Sequence, residues 1–333
     1  MRHCDFFHFQ NGSSPRVLQS VNEAASAREA GGFVWLNFCM PDKSDLEAVI
    51  PAFSIHHLSV EDCFDEDQIP KIDLFEGYTS ILFNDLSWKE GSASIVELNL
   101  FFGKDFIITV IRDETWSHSP TAAIVESLER AGNRSIPGPA RVLHAILDRV
   151  TDRKFLAVDA SVDAVAELED RLLSGTGKVA PEEIQTVRRD LMQMRKSLFH
   201  EREALERICR KDSAFVPAKA LIYFSDVHDH LSKFLDTVES SRETMTNLAQ
   251  TQLALTNNEM VVAANRTNNS VGRLTFITTI FMPLTLVAGI GGMSEWTMIT
   301  GPENWKYSYP ALFIAMAILG IINYLVLKRL DKK

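Results

Sequence analysis

The chain lacks paired cysteines: Cys4, Cys39, Cys63 and Cys209 are scattered through 333 residues with no C-x-x-C spacing. That scatter excludes a cysteine zinc cage or a disulfide frame and suits free thiols in a reducing compartment. Basic excess is lacking too, with 34 Lys and Arg against 44 Asp and Glu, a formal charge of −10. Residues 273–333 hold six basic and three acidic residues, which leaves 28 basic and 41 acidic, or −13, for residues 1–272. Such a surface repels nucleic acid and attracts cations. No G-x-S-x-G, phosphate loop or H-E-x-x-H spacing occurs. The sequence therefore offers neither an enzyme's nucleophile–base pattern nor a cofactor cradle, and neither is expected. The opening MRHCDFFHFQ has no signal-peptide pattern and is not an Arg-rich transit sequence.

Charge is missing altogether from two long runs. Leu274–Met293 (LTFITTIFMPLTLVAGIGGM) is twenty residues and Tyr309–Leu327 (YPALFIAMAILGIINYLVL) nineteen, with only fifteen residues between them. At ~1.5 Å per residue each run crosses a hydrocarbon core of about 30 Å. A buried hairpin in a soluble core seldom sustains two such runs. Trp296, Trp305, Tyr307 and Tyr309 also cluster where a membrane interface favours aromatics. Two membrane spans are expected. Arg266 and Arg273 precede the first, Lys328, Arg329, Lys332 and Lys333 follow the second, and the loop sets Lys306 against Glu295 and Glu303. By the positive-inside rule both termini are cytoplasmic.

The preceding residues divide by pattern. Up to about residue 120, short apolar runs alternate with turn signals. Phe33–Phe38, Thr79–Trp88, Ser94–Gly103 and Asp105–Ile111 read as strands, the last two as a hairpin, with helical signals at Lys43–Ala52 and His56–Phe64. After Asn133–Ala140 helical periodicity takes over: one helix over Arg141–Leu173, another from Pro181 to about Arg210, opened by Glu182 and Glu183. From Pro217 to Phe281 only Gly272 interrupts, so about 65 residues, ~100 Å if fully helical, lead into the first span as a stalk.

Steps of three or four along that stalk collect Asn268, Val271, Leu274, Thr278, Met282, Thr285 and Gly289. This stripe of small, polar and flexible residues differs from the Leu, Ile and Phe on the rest of the span. It suits either a helix–helix interface or a pore wall, and one span per subunit lines a pore only when several subunits surround an axis. The run ends in GIGGMSEW, Gly289–Trp296, where one glycine would serve as a cap and three suggest close packing or exposed carbonyls.

The run NRTNNSVGRLTFITTIFMPLTLVAGIGGMS (Asn265–Ser294) resembles the pore helix of the CorA metal-ion transporter superfamily. His56–Asp73, Val96–Val110, Val142–Arg153 and Tyr223–Leu231 are similar to further family segments in the same order, so the resemblance spans roughly residues 33–330. It implies an α+β membrane protein: a funnel-shaped homopentamer with an α/β/α cytoplasmic domain and a stalk helix continuous with the first of two transmembrane helices. On this reading residues 1–135 are the α/β domain and 136–272 the helical part of the funnel. Residues 273–294 are the pore-lining helix, 295–308 the outer loop, 309–328 the second span and 329–333 a basic tail. The resemblance further implies a multi-pass protein of the cell inner membrane, surrounded by lipid, that moves Mg²⁺, with Co²⁺ and Ni²⁺, or Zn²⁺ as in the ZntB branch. The metal is substrate and regulator rather than cofactor. A non-conducting sensor or scaffold is the alternative.

The family signature ends Gly-Met-Asn, whereas this chain has Gly292-Met293-Ser294 followed by Glu295, which puts the inherited selectivity in question. A ring of carboxamides hydrogen-bonds the water shell of Mg²⁺, which dehydrates reluctantly. Serine hydroxyls are shorter, and Glu295 is the residue that could compensate by adding charge. The resemblance also implies metal-sensing acids. Asp226 in YFSDVHDHL aligns with one, Asp229 lies one turn on, and the partner region falls near Lys89, flanked by Asp85 and Glu90. Solvated carboxylates on a helix are the alternative there. His228 and His230 beside them suit a softer ion such as Zn²⁺, although neighbours at i and i+2 do not share a helix face.

Overall fold

The computed structural model describes residues 3–10, 14–65, 68–113, 119–131, 136–174, 179–292, 298, 301 and 303–330. The chain divides into two compact units, Met1–Gln250 and Thr251–Lys333.

Unit one is built on a seven-stranded sheet. Its strands are β1 (His3–Phe9), β2 (Arg16–Leu18), β3 (Phe33–Cys39), β4 (Lys71–Leu74), β5 (Tyr78–Lys89), β6 (Ser92–Gly103) and β7 (Phe106–Ile111), in the spatial order β2-β1-β3-β7-β6-β5-β4. The β3–β7 pair is parallel, with Leu36 opposite Ile108, and the other pairs are antiparallel. The central strands read as unbroken apolar runs because both of their faces are covered. Val34, Leu36, Phe38, Phe106, Ile108 and Val110 point into one core, and Trp35, Cys39, Ile107 and Ile111 into another.

The first core is closed by four short helices, α1 (Val21–Glu29), α2 (Lys43–Glu47), α3 (Val49–Phe53) and α4 (His57–Asp62). The Ser20 hydroxyl caps α1 by accepting from the Glu23 amide at 3.1 Å, and the Glu23 carboxylate accepts from the Gln19 amide at 2.7 Å. The second core is closed by α5 (Ser119–Ala131), α6 (Pro139–Ser174), α7 (Pro181–Cys209) and the first part of α8 (Leu221–Gly291). Pro181 opens α7 at a position where a missing N–H costs nothing. Glu183 accepts from the Ala180 amide and pairs with Arg171 at 2.8 Å, which ties the end of α6 to the start of α7. The sheet and the long helices thus share the second core, and the expected division near residue 135 falls inside one compact unit.

Between the sheet and the long helices lies a charged interior. Lys154 and Glu201 are both 0% exposed and 3.0 Å apart. Glu201 also accepts from the Asn84 amide at 2.7 Å, and the Lys154 ammonium stands 3.8 Å from the centre of the Phe83 ring. Burial pushes the Glu201 carboxyl up and the Lys154 ammonium down, each opposed by its partner.

Unit two contains the remainder of α8 and a final helix, α9 (Trp305–Leu330). Both helices are long and apolar enough to cross a membrane. They run antiparallel. Phe276 meets Tyr324, Leu284 lies against Gly320, and a Cβ on Gly291 would overlap Leu312. Pro283 sits inside α8, half-buried and on the side that faces α9.

The strands expected at Phe33, Thr79, Ser94 and Asp105 and the helices expected from Arg141, Pro181 and Pro217 are all present, with ends shifted by a few residues. A short 3₁₀ turn, Ala218–Ala220, precedes α8. Strands β1, β2 and β4 and helices α1 and α5 were not expected from the pattern.

Candidate functional sites

The contacts with α9 set the phase of α8. At ~100° per residue, Phe276, Ile280, Pro283, Leu284, Val287 and Gly291 fall within about 100° of one another. The first five are half-buried and Gly291 is fully buried. Val271, Leu274, Thr278, Met282, Thr285 and Gly289 centre about 180° away, and all are exposed. Asn268 is exposed as well, roughly 75° from the middle of that stripe.

The hydroxyl groups of the stripe are prepared for an apolar surrounding. Thr278 donates to the Leu274 carbonyl at 2.9 Å and Thr285 to the Phe281 carbonyl at 2.8 Å. With the donor satisfied inside the helix, each oxygen still offers a lone pair outward. Such a surface accepts from water, including water held by a cation.

Gly292 is exposed at the end of α8, while Met293, Ser294 and Glu295 lie outside the described residues. Of the glycines in GIGGM, Gly291 serves packing within one chain, where its missing side chain admits Leu312 of α9. Gly289 has open space around it on the opposite side.

The acids expected to sense metal do not form one group. Asp226 and Asp229 project from α8 with side chains 71% and 72% exposed. His230 lies one turn from Asp226, at 3.8 Å, and His228 approaches Asp229 at 3.4 Å. Glu90 is exposed at the tip of the β5–β6 hairpin, where Glu90 and Gly91 take the positive φ angles of 52° and 79° that a tight turn requires. Asp85 is elsewhere. It is 2% exposed, and its carboxylate pairs with Arg153 of α6 at 2.9 Å. Burial raises its carboxyl above the usual range, against the pull of Arg153 and Lys154. Asp85 thus has an internal partner and no surface position. Among the described residues, no three His, Cys, Asp or Glu side chains converge in a metal-binding group.

Two residues that the sequence reading passed over stand beside Asp226. His144 of α6 is half-buried, edge-on to Tyr223 and Phe224 with ring centres 5.5 and 5.9 Å away. Burial lowers its basicity, while Asp148 and Asp226 pull the other way. Asp148, one turn along α6, is raised by burial and opposed chiefly by His144. The i, i+4 spacing of His144 and Asp148, at the border between the buried and exposed faces of α6, was the available signal.

A family profile described as CorA-like Mg²⁺ transporter protein matches residues 30–329. YfjQ of Bacillus subtilis is 31% identical over 297 residues, covering 88% of this chain and 88% of that protein. The cobalt/magnesium transport protein CorA of Thermotoga maritima is 27% identical over 316 residues, covering 93% of this chain and 86% of its own. The complete structure of the CorA magnesium transporter from Methanocaldococcus jannaschii superposes with a TM-score of 0.69 at 19% identity, covering 99% of this chain and 97% of that one. That likeness establishes the common fold of an α/β unit, a long helix and two apolar helices. The profile match and the near full-length relatives place the chain in the family of CorA-like Mg²⁺ transporter proteins.

Proposed function

We propose that this protein moves divalent metal ions, Mg²⁺ with Co²⁺ and Ni²⁺ or else Zn²⁺, across the cell inner membrane. The path is a central pore lined by one α8 helix from each of five subunits. The observation that carries this reading is the phase of α8. Its α9-facing side is apolar and partly buried, and the opposite side carries Thr278, Met282, Thr285 and Gly289 in the open. An outer α9 shields the apolar side from the axis, and the threonine lone pairs meet the water shell of a passing ion. Both termini are cytoplasmic on this reading, and Gly292, Met293, Ser294 and Glu295 form the outer mouth. The name of the Thermotoga maritima relative, a cobalt/magnesium transport protein, favours transport over a non-conducting scaffold.

Asp226 supplies the regulatory half of the proposal, with Asp229 one turn along α8 and the exposed Glu90 of a neighbouring subunit as further contributors. A cation bridging carboxylates across a subunit interface relieves their repulsion, so occupancy favours the closed state. Asp226 and Thr278 stand on the same helix, α8.

Purified protein in liposomes, assayed for uptake of Mg²⁺, Co²⁺, Ni²⁺ and Zn²⁺ in parallel, tests the conducting role. Saturable uptake of at least one ion is expected, and no flux of any of the four refutes it. In the same assay Asp226→Ala should weaken inhibition by metal on the cytoplasmic side. Unchanged inhibition would return Asp226 to an ordinary solvated carboxylate.

A further inference from the structure

The pairing of α8 with α9 brings like charges together. Arg273 lies three residues before Phe276, and Lys328 four residues after Tyr324, so the antiparallel contact sets them at the same end of the hairpin. By helical phase both Arg266 and Arg273 fall on the α9-facing side of α8, about 50° and 30° from its centre. Lys328 follows the face of Tyr324 toward α8, its ammonium 5.7 Å from the centre of that ring. Arg329 is next to it, and all four cations are exposed. From Val261 to Gly292 and from Trp305 to Leu330 the sequence contains no Asp or Glu. Within those two stretches neither helix supplies a carboxylate to offset this cluster, and like charges at neighbouring helix positions repel.

The depth of the cluster identifies the missing anion. Beyond Arg273 on α8 the sequence is uncharged as far as Met293, and α9 is uncharged from Tyr309 to Leu327. Arg273 and Lys328 are therefore the first charges at the edge of the hydrocarbon, level with the phosphate layer of the leaflet facing the cytoplasm. The exposed apolar side chains of Ile321, Ile322, Leu325 and Val326 on α9 would lie along acyl chains just above.

We propose that Arg273, Lys328 and Arg329, with Arg266 below them, form a binding groove for the phosphate of an anionic phospholipid. The lipid clamps the cytoplasmic ends of α8 and α9 together. The groove uses two or three cations to hold one phosphodiester, with Tyr324 as an amphipathic wall. The inference rests on the two apolar helices spanning a bilayer, and not on which ion passes.

The test uses the full-length protein extracted in mild detergent, with lipids added back: phosphatidylglycerol, cardiolipin, phosphatidylcholine, or inorganic phosphate alone. Native mass spectrometry reads lipid retention and a thermal melt reads stability. Phosphatidylglycerol or cardiolipin should be retained and raise the melting temperature, and phosphatidylcholine and inorganic phosphate should not. Arg273→Gln and Lys328→Gln should each weaken retention about fivefold, and the double variant roughly 25-fold. Arg273→Lys should keep most of it, and Lys306→Gln at the opposite end of α9 should change nothing. Equal retention by the double variant and the parent overturns the groove, as does a stabilisation that inorganic phosphate reproduces in full. Protein that alkaline carbonate strips from membranes refutes the spanning helices and the groove with them. Inserted protein without lipid preference refutes the groove alone.

Discussion

Phe276 and Tyr324 meet edge to face, their ring centres 6.1 Å apart at 84°. That contact, repeated above by Leu284 against Gly320, decides which side of α8 is available to anything else. The threonines and Met282 are on the free side, and Ile280 is turned toward α9.

The buried pair of Lys154 and Glu201 should be costly to break and cheap to replace. Lys154→Met alone leaves Glu201 charged in a dry interior, and a loss of about 3–5 kcal/mol is expected. Lys154→Met with Glu201→Leu removes both charges and should recover most of that loss, less the hydrogen bond to the Asn84 amide. Thermal melts of the full-length protein in detergent compare the three. A double variant no more stable than Lys154→Met would show that the ion pair itself, and not the uncompensated charge, holds α6 to α7.

His144 sets a pH dependence. Its folded-state basicity is lowered by burial, so the unfolded chain takes up the proton first as the pH falls below ~6.5. Stability from this residue is full above that value and declines as the pH drops toward the lower folded-state value. The groups that face it are Asp148 on α6 and Tyr223, Phe224 and Asp226 on α8, with Asp152 and His230 acting through Asp148. Asp148 works in the opposite sense, because its raised carboxyl loses stability as the pH climbs above ~3.9. The melting temperature of the parent is expected to fall between about pH 7 and 5.5, and His144→Phe should flatten that fall. An equal fall in the variant would assign the dependence to other groups.

The strands with two covered faces were legible because burial on both sides leaves apolar runs such as FVWLNFC and FIITVI. Edge strands carry no such mark. KIDL in β4, at one edge, is four residues long with two charges, and β1, one place in from the other edge, mixes His, Cys and Asp among its phenylalanines. The polar stripe on α8 was readable from spacing, but the sequence could not tell a pore wall from a helix interface. Only the contacts of Phe276, Leu284 and Gly291 give the stripe a direction. Asp85 was opaque for another reason. Its partner Arg153 is distant in sequence, and a charge in a strand otherwise reads as a solvated one.

The proposed outer mouth allows two modes of selection to be separated. If Ser294 contacts the water shell of the ion, Ser294→Asn should shift the order of preference toward Mg²⁺ over more weakly hydrated cations. If charge governs entry, Glu295→Gln should reduce uptake of every divalent ion and leave the ranking alone. Competition between ions in liposome uptake reads both. Transport like the parent's in both Ser294→Asn and Ser294→Ala would move selection inward, to Thr285, Met282 or Asn268.

Cysteine substitution from position 268 to 289, in a background with the four native cysteines replaced, addresses the pore most directly. A water-soluble thiol reagent applied to protein in membranes should label Val271, Leu274, Thr278, Met282, Thr285 and Gly289 positions, and labelling should block divalent flux. Positions 276, 280, 284 and 287 should stay unlabelled. Uniform labelling, or labelling and block on the α9-facing side, would contradict the pore.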